Sequence, residues 1–267
     1  MNNIFDIKRF GNYFLYDLRN AKNNYGLSLL LMGMTPIILT LAYFLFGLIG
    51  RHGLSPMPEG TKFSLLFVVL TVTILTAGTK IYGHITEKQA GSNFILLPAS
   101  TFEKWLSMSL VVCIVLPIVL FVLLLVSDVL MALVFPAVYG GRLLDLNISD
   151  IVGSQEVTEG LFINIPAILF LSWSAGVLSF TLGGICFKKA KVAKSFLCLM
   201  GIGMLFSLIL ALLVSSGNFD FSITEESFSE DPYRIISIVN WSASIFYAVS
   251  IIILLAGIWL RLRTLKH

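Results

Sequence analysis

The sequence predicts an all-α, polytopic integral membrane protein with six transmembrane helices and both termini cytoplasmic. Three observations predict it. Apolar residues fill 57% of 267 positions and charged residues only 12%, about half the charged share of a soluble domain. Several apolar runs exceed the ~18 residues that cross a bilayer as helix. None alternates like the lipid-facing strands of a barrel, and only helices and closed barrels satisfy their backbone groups in hydrocarbon.

The six spans read as about 27–49, 63–83, 105–134, 161–187, 195–215 and 235–260. Residues 1–26 ahead of them read as a cytoplasmic amphipathic interfacial helix. Ile7, Phe10, Phe14 and Leu18 recur at helical spacing between Lys8, Arg9, Asn12, Arg19 and Lys22, a pattern suited to the inner membrane surface. Snorkelling cations on an ordinary juxtamembrane segment would give the same pattern. No small-residue cleavage site follows the first apolar run, so it is expected to be retained as a span.

Orientation follows from lysine and arginine. Fourteen of the eighteen fall before span one, between spans two and three, between spans four and five, or after span six; only Arg51, Lys62, Arg142 and Arg234 fall on the other side. The two larger outer loops are acidic, so the net charge of +3 reflects sidedness and implies no nucleic acid partner. The partner it does imply is the lipid bilayer.

Within the spans, Thr71, Thr73, Thr76 and Thr79 either line a polar route or bond back to carbonyls of their own helix. Pro117 predicts a kink or locally loosened backbone in span three. Asp128 is the only acidic residue inside a predicted span. It is either a possible intramembrane polar site or an interfacial residue near Phe135-Pro136. Ser172, Gly176, Ser179 and Gly183 form a stripe of small residues, a possible helix-packing seam within the chain or with a second subunit. Cys113, Cys186 and Cys198 lie in or beside spans, where apolar packing is the expected role.

Nothing in the chain predicts catalysis. The three histidines, His52, His84 and His267, are scattered, and neither an HExxH helix nor a GxSxG elbow occurs. A GxxxxGK[ST] phosphate loop is absent as well. The chain is therefore expected to be no enzyme and to carry no metal or cofactor of its own.

The connection with the densest local signals is "GHITEKQAGSNFILLPASTFEKWLSM". Thr86 and Gln89 have capping spacing, which predicts a short helix near 87–90 ending before Gly91. Pro98 disfavours helix at the residue before it. Ser100 and Glu103 have capping-box spacing, which predicts a new helix starting about one turn before Trp105. The outcome would be a short elbow, a sharp break and a rigidly started third span.

At these residues, six spans with an amphipathic N-terminal helix and "LLPASTFEKWLS" before span three, the chain resembles the ABC-2 type transporter permeases. It is most similar to the small permease-like membrane proteins of Bacteroidetes. The likeness covers the whole chain in topology and about a dozen residues in motif. It implies a permease subunit of an ATP-driven exporter in a bacterial inner (cytoplasmic) membrane, paired with a second permease copy or paralogue. A separately encoded ABC ATPase would bind the ATP and Mg. The inner loop 84–104 would be the ATPase-coupling elbow, with Glu87, Lys88, Pro98, Ser100, Glu103 and Lys104 as its polar and shape-setting residues. One departure is the polar, acidic 216–234, where better-known members carry short re-entrant helices. The competing expectation is a non-transporting membrane scaffold or sensor subunit. An ion channel is disfavoured, because the spans lack rings of charge or a filter-like sequence.

Overall fold

The computed structural model describes residues 5–49, 57–142, 165–215 and 232–264, and all regular structure in them is helical. In chain order the helices are α1 (Ile7–Gly33), α2 (Thr35–Ile49), α3 (Glu59–Tyr82), α4 (Lys88–Leu96), α5 (Thr101–Leu110), α6 (Leu116–Val134), α7 (Pro136–Tyr139), α8 (Ile165–Cys186), α9 (Lys191–Ser215) and α10 (Pro232–Thr264). A 3-10 turn, Gly83–Thr86, joins α3 to α4, and a π turn, Val111–Val115, joins α5 to α6. Five of the continuous helical stretches are long and apolar enough to cross a membrane, and α1 with α2 makes up to six. The acidic outer loops and the first outer turn lie outside the described residues.

The boundary expected near residue 26 has no counterpart in the backbone. α1 continues through it, and the bend, 43°, comes at Met34 between α1 and α2. Pro36 causes it: the ring has no N–H to give to the Met32 carbonyl. The Thr35 hydroxyl donates there instead, at 2.6 Å, and Ser127 of α6 donates to the Gly33 carbonyl at 2.7 Å.

α1 also packs in the bundle rather than lying alone beneath it. It runs beside α5 and α6 in the same direction, with Arg9 at Glu103, Asp17 at Ser107 and Gly33 at Ser127. Against α3 it is antiparallel, with Asn20 at His84 and Tyr25 at Thr76. Its most deeply buried face is Tyr13, Asp17 and Tyr25. Ile7 of the expected apolar stripe is exposed, whereas Phe14 and Leu18 pack at the edge of the core.

α8 is the central helix, packed most closely on α3 and α10. The approach to α3 is possible because Gly78 faces Thr181 and Gly184 faces Thr79, each glycine leaving room for the opposing backbone. Thr71, Thr73, Thr76 and Thr79 of α3 all bond back to carbonyls of their own helix: Thr73 to Val69 at 2.7 Å and Thr76 to Val72 at 2.7 Å are typical. They build helix rather than a polar route.

α9 and much of α10 leave their apolar side chains uncovered, among them Phe196, Leu197, Met204 and Leu205, then Trp241, Ile252 and Ile253. A surface this apolar is tolerated by hydrocarbon and not by water. The chain is a multi-pass, all-α membrane protein. The start of α1, the α4–α5 elbow, Lys191 and Arg261 gather at one end of the bundle through Glu103, Gly83 and Ile185. Lys62 reaches Gly141 at the other end.

Candidate functional site

The elbow between α3 and α5 is built by three independent ties. α4 runs to Leu96, so Gly91 does not end it; its N-cap is Glu87, with no side-chain cap, and the Thr86 hydroxyl turns back to Gly83. Leu97 then takes an extended conformation, as a residue before proline must. At Ser100 the capping box forms in both directions: Glu103 N donates to Ser100 Oγ at 3.2 Å, and Ser100 N to Glu103 Oε2 at 2.8 Å.

Glu103 and Lys104 do more than their spacing implied, and they do it inside. Glu103 is fully buried. Its carboxylate also accepts from Arg9 Nε at 2.8 Å, from Arg9 Nη2 at 2.8 Å and from Asp6 N at 2.9 Å. Asp6 in turn caps α1 by accepting from Lys8 N and Arg9 N. The elbow is thereby clamped to the start of α1. Lys104, also buried, folds back so that Nζ donates to the Phe94 and Ile95 carbonyls at 2.7 and 3.3 Å. A cation there closes the C-terminal end of α4, where the helix leaves carbonyls and partial negative charge.

These two residues set the shape of the elbow from inside and are not available as direct contacts for a partner. Burial is the reason: each charge is held by its own chain. Glu87 is exposed beside Lys191 at 3.7 Å, Pro98 is exposed, and Lys88 is the first residue of α4. The outward surface of the elbow carries Glu87, Ser92, Asn93 and Pro98 together with apolar Leu96, 79% exposed, and Ile95, 42%.

α5 leads directly into the π turn, one residue of which is Cys113. Pro117, at the start of α6, explains it, because its ring would strike the Cys113 carbonyl in a regular helix and the wider turn moves that carbonyl away. The loosened backbone expected at Pro117 takes the form of a π turn ahead of it. Cys113, Ile114 and Pro117 line an apolar cavity of about 660 Å³ whose other walls include Leu70 of α3 and Phe170 and Trp173 of α8. Cys113 packs as an apolar residue; all three cysteines are free thiols.

Two buried carboxylates lie at opposite ends of the bundle. Asp128 is buried within the bundle and accepts a short hydrogen bond from the Tyr139 hydroxyl of α7. Lys62 Nζ sits 4.2 Å from the centre of that same ring and donates to the Gly141 carbonyl. This polar knot closes its end of the bundle. Asp17, unremarked in the sequence, is buried where α1, α3 and α5 meet, and accepts from Tyr82 at 2.9 Å and Ser107 at 2.6 Å. The signal that could have found it is an aspartate at i+4 from Tyr13 on a helix that the structure extends into the first span.

The small-residue stripe does not act as one seam. Gly176 faces Ile74 of α3, Gly183 faces Ser195 of α9, the Ser179 hydroxyl bonds to Ala175, and Ser172 is bonded to Leu169. Both glycines serve contacts within the chain. Among the described residues no group of three or more His, Cys, Asp or Glu side chains is placed to hold a metal.

No protein-family model, curated protein or solved structure matches the chain.

Proposed function

We propose that the chain is the membrane-spanning permease subunit of an ATP-driven, ABC-2 type exporter. The elbow and both termini face the cytoplasm of a bacterial inner membrane, as the distribution of Lys and Arg requires. A separate ABC ATPase, carrying ATP and Mg, docks on the elbow, and a second permease copy or paralogue completes the pathway.

The observation that carries this reading is mechanical. The helix that starts at the clamped elbow is the same one that loosens into the π turn and lines the apolar cavity. A displacement of α4 by a partner passes through Ser100, Glu103 and Lys104 into α5, because all three lock the elbow to its neighbours. It meets its first compliant point at Val111–Val115, beside the cavity. The exposed Leu96 and Ile95 give α4 an apolar face for a partner's groove. An apolar cavity suits the hydrocarbon part of an amphipathic cargo.

The test is purification of the full chain from its native membrane in mild detergent. An ABC-type ATPase is expected in stoichiometric amount, with ATP hydrolysis in the eluate. Leu96→Asp should remove both and leave the thermal unfolding of the bundle unchanged. A folded chain that brings down no ATPase would sink the exporter reading and favour a scaffold or sensor subunit.

A further inference from the structure

We infer that the recess beneath α1 is a binding site for a small organic ammonium ion, with Asp17 as its counter-charge. The recess has a volume of about 170 Å³ and is lined by Asp17, Tyr13, Tyr16, Tyr82, Asn20 and His84, among others. At the ~30 Å³ that a water occupies in the liquid, it has room for roughly five to six waters, the size of an ammonium with a few carbons.

Asp17 is only 3% exposed, yet among the described residues no cationic side chain lies within ion-pairing distance of it. Of the basic side chains around it, Arg9 is on Glu103, Lys80 on Ser28, Lys104 on the end of α4 and Lys191 on Gly83 and Glu87, while His84, in the recess wall itself, meets Asn20 at 3.4 Å. Both hydroxyl donors, from Tyr82 and Ser107, converge on Oδ2, and among the described residues no donor reaches Oδ1. An asparagine oxygen would accept from the same two hydroxyls without the cost of a buried charge. The carboxyl thus has two hydroxyl donors on one oxygen and a space beside it able to hold a cation, which would offset the cost of burying its charge.

The walls select the kind of cation. A hard divalent ion needs six or more oxygen ligands, and here a single carboxylate stands among aromatic rings and amides. Tyrosine rings instead attract weakly hydrated ammonium groups through their negative faces. A groove of about 580 Å³ at the start of α1 adjoins the recess and shares Tyr13, Tyr16 and Leu97 with it. The Tyr13 and Tyr16 rings, 6.4 Å apart, stand between the two spaces. The groove opens beside Lys8, Asn12 and Pro98, at the elbow end of the bundle. An ammonium arriving there is either a free solute or the headgroup of a lipid. The site stands whether or not an ATPase docks at the elbow.

The full-length protein in detergent is titrated with choline chloride, with its neutral isostere 3,3-dimethylbutan-1-ol and with sodium chloride at equal ionic strength, and thermal unfolding is followed. Choline alone should raise the unfolding temperature in a saturable way, as a ligand of the native state does. Asp17→Asn should weaken binding by about tenfold or more, and Tyr16→Ala, at the half-exposed wall between recess and groove, by several-fold. If Asp17→Asn does not fold, the comparison of choline with its isostere on the wild type decides. A second arm places the protein in nanodiscs of phosphatidylglycerol with and without phosphatidylcholine. Stabilisation by the choline headgroup in this arm alone, absent in Asp17→Asn or Tyr16→Ala, assigns the site to lipid. Equal responses to choline, isostere and salt, with no headgroup effect, overturn the proposal.

Discussion

Two alanine substitutions distinguish a side-chain contact from a backbone contact at the heart of the bundle. A methyl group at Gly183 would fall onto the Ser195 hydroxyl, 2.7 Å from Cβ and an ordinary 3.6 Å from Cα. At Gly78 it would strike the backbone of Thr181 as well, 2.6 Å from N and 2.7 Å from Cα. Overpacking costs about 1–3 kcal/mol, so Gly183→Ala should destabilise by about 2 kcal/mol and Gly78→Ala by about 3 kcal/mol. Ser195→Gly removes both offending atoms in the first case. What it leaves is the helix-propensity difference of Ser and Gly, about 0.5 kcal/mol, and the loss of a bond from the Ser195 hydroxyl to the Lys191 carbonyl. The Gly183→Ala/Ser195→Gly pair should then lie within about 1 kcal/mol of wild type, a coupling of about 1–2 kcal/mol. Thr181→Gly should rescue nothing at Gly78, because the clashing N and Cα remain. Reversible unfolding in mixed micelles, followed by Trp173 fluorescence on α8, measures all of these. Failure of Ser195→Gly to rescue would refute the α8–α9 contact, and a change in oligomeric mass in Gly183→Ala would place the stripe between subunits instead.

Further predictions concern the elbow and the π turn. Ser100→Ala should cost about 1 kcal/mol, the usual value of an N-cap, and speed hydrogen exchange at the Glu103 amide. Lys104→Met should cost about 1.5–3 kcal/mol, the range for hydrogen bonds to a charged group, and should raise exchange across 91–97 well above that of α3. Unchanged exchange there would mean that the ammonium does not close α4. Pro117→Ala restores an N–H and removes the ring, so the π turn should relax towards regular helix and shift Cys113 relative to the cavity. In a Cys186→Ser/Cys198→Ser background, the rate of maleimide labelling at Cys113 should change several-fold; an unchanged rate would show that the turn does not depend on the proline.

The helical nature of the spans and the position of the elbow were legible in the sequence, because each rests on local rules. A run of Leu, Ile, Val and Phe long enough for a bilayer has one stable form, and Ser100 with Glu103 can close a capping box using only residues three apart. Threonines that bond back to their own helix are likewise a local outcome. The partners of the charged residues were not legible. That Glu103 takes Arg9, Lys104 takes the end of α4, Asp128 takes Tyr139 and Asp17 takes only two hydroxyls depends on which helices lie side by side. Arg9 and Glu103 are 94 residues apart and Asp17 and Ser107 are 90, too far to leave a periodicity to read, while the closer pairs, Lys104 with Phe94 and Asp128 with Tyr139, meet only because the chain folds back at the elbow and at α7. The same reason explains the longer first helix: amphipathic spacing identifies a face, but only packing against α3, α5 and α6 shows that tyrosines and an aspartate, not the phenylalanines, point inward. The sequence by itself determined a multi-span helical membrane protein with a capped elbow. Tertiary structure decided which of its charges are structural, that Asp17 meets no cationic side chain among the described residues, and where the third span takes its π turn, since burial and pairing are properties of assembled helices and not of the chain alone.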